Sequence, residues 1–246
     1  MSEITITLYP KKSEVCLVSF ASKGREDYNK GMYRLMESTA AHWKCDSIFF
    51  SLDSIHTSWA GLPIRIGTPE GYQPHNVTPY QFKVACVNIA RKEGYKKILW
   101  LDSTMVVARD PLPLLDECEK GVMAFDCLGH PLYKYISDTA CRLLGVTEPE
   151  IKEIQQCWGG AFMLDFNKET ACAVWSDIVR ASNTPGIFQD GISHREGFVA
   201  HRHDQAAMSV VFWKHFIPLQ PYGKILGKIH NVPPYEFGSE PYIIYG

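Results

Sequence analysis

The chain has 246 residues and a formal net charge of −2, with 46% hydrophobic and 12% aromatic residues. That length gives one large domain or two small ones, with enough apolar material for a full core. The composition excludes a disordered chain, and the near-neutral charge excludes a global pull toward nucleic acid or anionic membrane. No apolar run reaches the roughly 18 residues of a membrane span, and Met1-Ser2-Glu3-Ile4-Thr5 does not read as a secretory leader. Eight cysteines without a Cys-x-x-Cys pair argue against a zinc knuckle or redox motif. Several lie in apolar runs (Cys16, Cys86, Cys172), where cysteine acts as a small buried hydrophobe. The expectation is a reduced, cytoplasmic protein.

In chain order, Val15-Cys16-Leu17-Val18-Ser19-Phe20 is an apolar run too short for a helix and reads as a strand buried on both faces. A helix follows, with Tyr28, Met32, Leu35, Met36, Thr39 and Trp43 on one side, and then a strand over 47–53. Strand, helix, strand is the opening of a doubly wound nucleotide-binding sheet. Residues 55–77, rich in Gly, Pro and Thr, read as a long loop. Thr78-Pro79-Tyr80-Gln81 then supplies an N-cap, a first-turn proline and a capping-box glutamine. Phe82, Ala85, Cys86, Ile89 and Ala90 continue at helical spacing up to Gly94.

Lys97-Ile98-Leu99-Trp100-Leu101 is the next buried strand, and it stops abruptly at Asp102-Ser103-Thr104. In open α/β sheets ligands bind at the carboxyl ends of the strands, so Asp102 is the best single candidate for chemistry. A further strand is expected over 122–126, and interrupted helix over 131–156 with its break around Gly145 to Pro149. Trp158-Gly159-Gly160 leads into an apolar strand, after which Asn167 is expected to cap a helix carrying Ala171, Val174, Trp175, Ile178 and Val179. His194-Arg195 and His201-Arg202-His203-Asp204-Gln205 gather titratable and cationic groups ahead of a helix striped by Ala207, Met208, Val211, Phe212 and His215. Asp204 there could merely complement the helix dipole, but the clustered cations suit a phosphate site. Residues beyond about 216 read as loops across the mouth of the sheet.

The segment from Gly94 to Thr104 resembles the hydrophobic strand and Asp-x-Asp motif of nucleotide-sugar glycosyltransferases of the GT-A type, in particular the glycogenin and lipopolysaccharide galactosyltransferase group. The Asp-Ser-Thr and His-Arg-His-Asp-Gln wording is similar to viral and phage transferases. The resemblance implies one mixed, mainly parallel α/β domain, with residues 15–126 as the nucleotide-binding half and 127–246 as the acceptor-side half. It implies a nucleotide-sugar donor, such as a UDP-sugar, held by Phe20, Ala21, Ser22 and Tyr28 around the base and ribose. Gly159 and Gly160 would let the sugar lie close to backbone. Asp204 and Gln205 would stand beneath the reacting carbon, with retention of configuration. The family's two aspartates hold a divalent cation against the diphosphate; here Asp102 is kept and Thr104 replaces the second acid. His230 matches a family histidine ligand, and such a ligand would favour manganese over magnesium.

With one acid fewer, cationic side chains must carry more of the leaving group's charge. Lys83, Arg195, Arg202, Lys224 and Lys228 are the candidates, with Ser103 and Thr104 beside the diphosphate. The acceptor class stays open among a glycan, a protein side chain, a small molecule and a modified nucleic-acid base. Two other functions compete. A nucleotidyltransferase would carry a glycine-rich basic loop after the first strand, of which Ala21-Ser22-Lys23-Gly24-Arg25 is a faint version. A non-catalytic sugar-nucleotide-binding domain would account for Thr104.

Overall fold

A computed structural model describes residues 13–21, 26–52, 56–118, 120–221, 225–228 and 242–245. The elements run β1 (Val15–Ala21), α1 (Glu26–His42), β2 (Asp46–Ser51), β3 (Ser58–Trp59), β4 (Leu62–Ile66), α2 (Phe82–Lys92), β5 (Lys97–Leu101), β6 (Met105–Val107) and α3 (Leu112–Asp116). There follow β7 (Val122–Pro131), a single 3₁₀ turn, α4 (Asp138–Leu144), α5 (Glu148–Glu153), β8 (Gln155–Asp165), α6 (Glu169–Asn183), α7 (His203–Lys214), β9 (Leu219–Gln220), β10 (Leu226–Lys228) and β11 (Ile243–Tyr245).

Among the described residues eight strands form one sheet in the order β3-β4-β2-β1-β5-β8-β7-β9. β4, β2, β1 and β5 are mutually parallel, β8 is antiparallel to β5 and to β7, and β9 is parallel to β7. The fold is therefore mixed α/β with a mainly parallel sheet flanked by helices. A small second sheet, β10-β11-β6, lies beside it.

The apolar runs become central strands because side chains alternate between two cores. Cys16, Val18, Phe20, Ile98 and Trp100 face one core, closed by α2, α6 and α7. Leu17, Ala21, Leu99 and Leu101 face the other, closed by α1 and the small sheet. Helix α7 is buried on nearly every side from Ala206 to Phe212, not along one stripe as its spacing suggests. It packs against β8 and α6 and contributes to three separate apolar clusters, which fixes its N-terminal turn in place.

Several local expectations differ: the loop expected over 55–77 contains β3 and β4, and the loops expected beyond about 216 contain β9, β10 and β11, because their backbones find partners at the sheet edge and on β6. Residues 78–81 are turns and α2 begins at Phe82, because Tyr80 takes a left-handed conformation (φ 61°) that a helix cannot accommodate. Asn167 does not cap α6; its amide instead donates to Asp165 Oδ1 at 3.0 Å, and the helix starts two residues later. The expected helix over 131–156 yields its ends to β7 and β8, although the break falls where the residues demand it. Gly145 ends α4 in the left-handed conformation, and Thr147 with Glu150 forms a capping box for α5.

Candidate functional site

Asp102 follows the last residue of β5, and register explains its neighbours. Leu101 pairs with Ala161 on antiparallel β8, so Gly160 lies beside Asp102, whose amide donates to the Gly160 carbonyl at 2.8 Å. A β-carbon on Gly160 would come 2.7 Å from Met105 Cε and 3.3 Å from Asp102 Oδ2. One on Gly159 would come 3.2 Å from Asp204 Oδ2. The two glycines are thus required by the close approach of these side chains, and both are buried.

Lys83 projects from the first turn of α2 into the same place and is only 4% exposed. Its ammonium lies 2.8 Å from Asp204 Oδ2 and 3.3 Å from Asp102 Oδ1, and donates to the Gly159 carbonyl at 2.7 Å. It also lies 5.2 Å from the centre of the Tyr80 ring. Burial disfavours the charged ammonium, but the two carboxylates outweigh it and hold the lysine above its ordinary pKa. Asp204, equally buried, is pushed up by burial, with Lys83 opposing and Asp102 adding to the rise. Trp100 Nε1 donates to Asp102 Oδ1 at 2.9 Å. The result is a lysine clamped between two acids from different halves of the chain, at the carboxyl end of the central strands.

In front of this clamp opens a cleft of about 570 Å³ lined by Phe20, Tyr28, Tyr72, Tyr80, Asp102 and Thr104, with His75 and Asn76 at its edge. Phe20 stacks on Phe82 and lies 5.9 Å from Tyr72. Ala21 is buried at the end of β1, and Ser103 lines the floor. The 72–80 segment, read from sequence as a loop up to 77 and a helix start from 78, is a wall of this cleft. Its one legible signal was length, since long loops in compact domains are often functional.

The structure brings Phe20, Tyr28, Lys83, Asp102, Ser103, Thr104, Gly159, Gly160 and Asp204 to one region. Gln205 follows Asp204 but turns the other way: its Nε2 donates to Cys127 Sγ at 3.4 Å, on the far side of β8. Arg195 is committed elsewhere. Its guanidinium donates to the Ile136 carbonyl and to Ser193 Oγ (2.8 Å) and pairs with Asp138 at 3.4 Å. Arg202 lies against the Tyr135 ring at 5.2 Å. Ser22, Lys224 and His230 lie outside the described residues; so does the side chain of Lys228, whose backbone forms part of β10.

Cation ligands are few here. Among the described residues no three His, Cys, Asp or Glu side chains gather as a metal site. Asp102 Oδ1 is engaged by Trp100 and Lys83, and Oδ2 is the oxygen left facing Gly160. With Thr104 also lining the cleft, this set fits a hard divalent cation as a one-carboxylate anchor that relies on water and ligand oxygens.

A scan against protein families finds no match, and a search of curated proteins finds none. Solved structures do match. The bifunctional glycosyltransferase WbbM aligns with a TM-score of 0.58 at 15% identity, over 97% of this chain and 46% of its own. Mouse xyloside xylosyltransferase 1 aligns with a TM-score of 0.57 at 11% identity, over 94% of this chain and 97% of its own. The chain has the fold of these glycosyltransferases, and it spans about half the length of the first. Among the described residues no helix is long and apolar enough to cross a membrane.

Proposed function

We propose that the chain is a glycosyltransferase that moves a sugar from a nucleotide-diphosphate donor to an acceptor hydroxyl. The observation that carries this reading is the Lys83–Asp102–Asp204 clamp, with Asp102 lining an aromatic cleft and Lys83 and Asp204 buried behind it against Gly159 and Gly160. The shared fold with two solved glycosyltransferases supports it.

The base and ribose of the donor take the Phe20–Tyr28–Tyr72 side of the cleft, where flat apolar surface is available. The diphosphate lies at Asp102, Ser103 and Thr104. Asp102 Oδ2 and Thr104, together with His230, would hold a manganese or magnesium ion, which would supply positive charge for the departing phosphates. Asp204, fixed by Lys83, lies on the sugar's side of the diphosphate, and Gln205 reaches the reacting carbon by turning its amide away from Cys127. In a front-face displacement the bond from the anomeric carbon to the phosphate oxygen breaks. The acceptor oxygen bonds to the same carbon from the same face, and its proton passes to the departing phosphate. No protein base is needed, and configuration is retained.

The test is incubation with a panel of nucleotide sugars, with and without manganese, following the products. Release of nucleoside diphosphate is the expected outcome. Pyrophosphate release would make the chain a nucleotidyltransferase instead. Binding without turnover would make it a sugar-nucleotide-binding domain, a reading that Thr104 favours because one acidic ligand is missing.

A further inference from the structure

The side of Gln205 away from the clamp carries a second group of side chains, which the donor does not use. Strand β7 pairs with β8 at Asp126–Cys157 and again at Pro131–Gln155, and the register shift between them makes residues 127–130 an overhang, with Cys127 in contact with Gln205 of α7. The overhang turns sharply at Leu128 (φ 52°) and Gly129 (φ 73°). On it His130 stacks on Tyr135, rings 5.4 Å apart and 20° from parallel. Arg202, the residue that leads into α7, sets its guanidinium 5.2 Å from the centre of that same ring, and its amide donates to the Tyr135 carbonyl at 3.0 Å.

The charges here do not cancel. Arg202 is exposed and, among the described residues, has no carboxylate within ion-pair distance. Asp126, the acid nearest in sequence to the overhang, is occupied: its oxygens accept from Gln155 Nε2 at 2.8 Å and from the Gly129 amide. A guanidinium held by an aromatic ring keeps its planar fork of donors fixed and outward, the arrangement that recognises phosphate or carboxylate. His130, on the same ring, adds a second donor.

We infer that the Arg202–Tyr135–His130 group is the acceptor subsite, and that the acceptor is a glycan carrying a phosphate or carboxylate near the hydroxyl that is glycosylated. This rests on the proposed transferase reading, since Arg202 leads directly into Asp204 and Gln205, and Gln205 touches Cys127, whose Sγ lies 4.0 Å from His130 Nδ1. One guanidinium and one imidazole suit a single anionic group. A nucleic-acid backbone would require several lysines and arginines on one face.

The test is binding of sugar probes in the presence of saturating nucleoside diphosphate, which keeps the donor cleft filled. Glucose 6-phosphate and glucuronic acid are compared with methyl glucoside by ligand-observed NMR, for the wild type, Arg202→Gln and Arg202→Lys. At least one anionic probe should bind the wild type about tenfold or more tightly than methyl glucoside. Arg202→Gln should abolish that preference and Arg202→Lys should keep part of it. Equal binding of charged and neutral probes, a preference unchanged in Arg202→Gln, or tighter binding of a short oligonucleotide would overturn the inference. Failure of the chain to bind any nucleoside diphosphate would instead overturn the transferase reading, and the anion preference can still be read without it.

Discussion

Lys83 and Asp204 meet at 2.8 Å, one in the first turn of α2 and the other in the first turn of α7, both nearly sealed from solvent. The pair ties α2 to α7 at the point where Asp102 leaves the sheet. Such a pair need not add net stability, because desolvating two ions offsets much of their attraction. Breaking it is another matter, since the remaining charge stays buried alone.

Lys83→Ala should therefore destabilise the fold by about 3–5 kcal/mol, measured by urea unfolding. Lys83→Met combined with Asp204→Leu should recover most of that stability, because no buried charge is left. The double variant should still be inactive. If Lys83→Ala unfolds like the wild type, the clamp is not formed.

Asp102→Ala should lower turnover by about a hundredfold or more, since a ligand oxygen and its hold on the diphosphate are both lost. The fold should survive, because the side chain lies beyond the end of β5 and is partly exposed. Thr104→Asp should tighten manganese binding in calorimetry by adding a second carboxylate to the cleft. Unchanged manganese affinity in that variant would show that position 104 does not face the cation.

Much of the fold around this site was legible in the sequence. The strands ending at Phe20 and Leu101, the acid at 102, the paired glycines and the Asp-Gln step all lie near the positions the pattern gave them. What could not be read was which cations meet which acids. Lys83 looked like one of several lysines free to face phosphate. Its one local clue was the unbroken run of buried neighbours from Phe82 to Val87, which leaves that face of α2 no route to water. Arg195 shows the opposite case: its cationic surroundings suggested a phosphate ligand, while in the fold its guanidinium donates to a carbonyl and a hydroxyl and pairs with Asp138. Contacts of that kind join segments far apart in the chain, where periodicity and capping rules say nothing. Tyr80 shows the limit of local rules as well, since a sound N-cap signal yields to a left-handed residue that turns its ring toward Lys83.

Gln205→Ala should lower the turnover number while leaving donor affinity nearly unchanged, because an amide at the reacting carbon acts mostly in the transition state. Steady-state kinetics with a donor titration separates the two effects. Loss of donor affinity at an unchanged turnover number would make Gln205 a binding residue.

His201 predicts a pH effect on stability. Its Nδ1 accepts from the Ser137 amide at 3.2 Å and its Nε2 donates to the Ile187 carbonyl at 2.7 Å, so the ring is held neutral. Burial lowers its pKa in the folded chain. The unfolded state then takes up a proton first, near the ordinary value of about 6.5. Its contribution to stability is complete above that pH and is lost as the pH falls toward the lowered folded value. Urea midpoints between pH 8 and pH 5 should fall more steeply for the wild type than for His201→Gln. Parallel slopes would show that His201 takes no part.

The most direct measurement is the position of a bound nucleoside diphosphate in a crystal of the chain. The base should lie against Phe20 and Tyr72, and the diphosphate should lie at Asp102, Ser103 and Thr104, in front of the Lys83–Asp204 pair. A nucleotide found away from this cleft, or a cleft that stays empty at saturating nucleotide while the crystal is otherwise unchanged, would contradict the account.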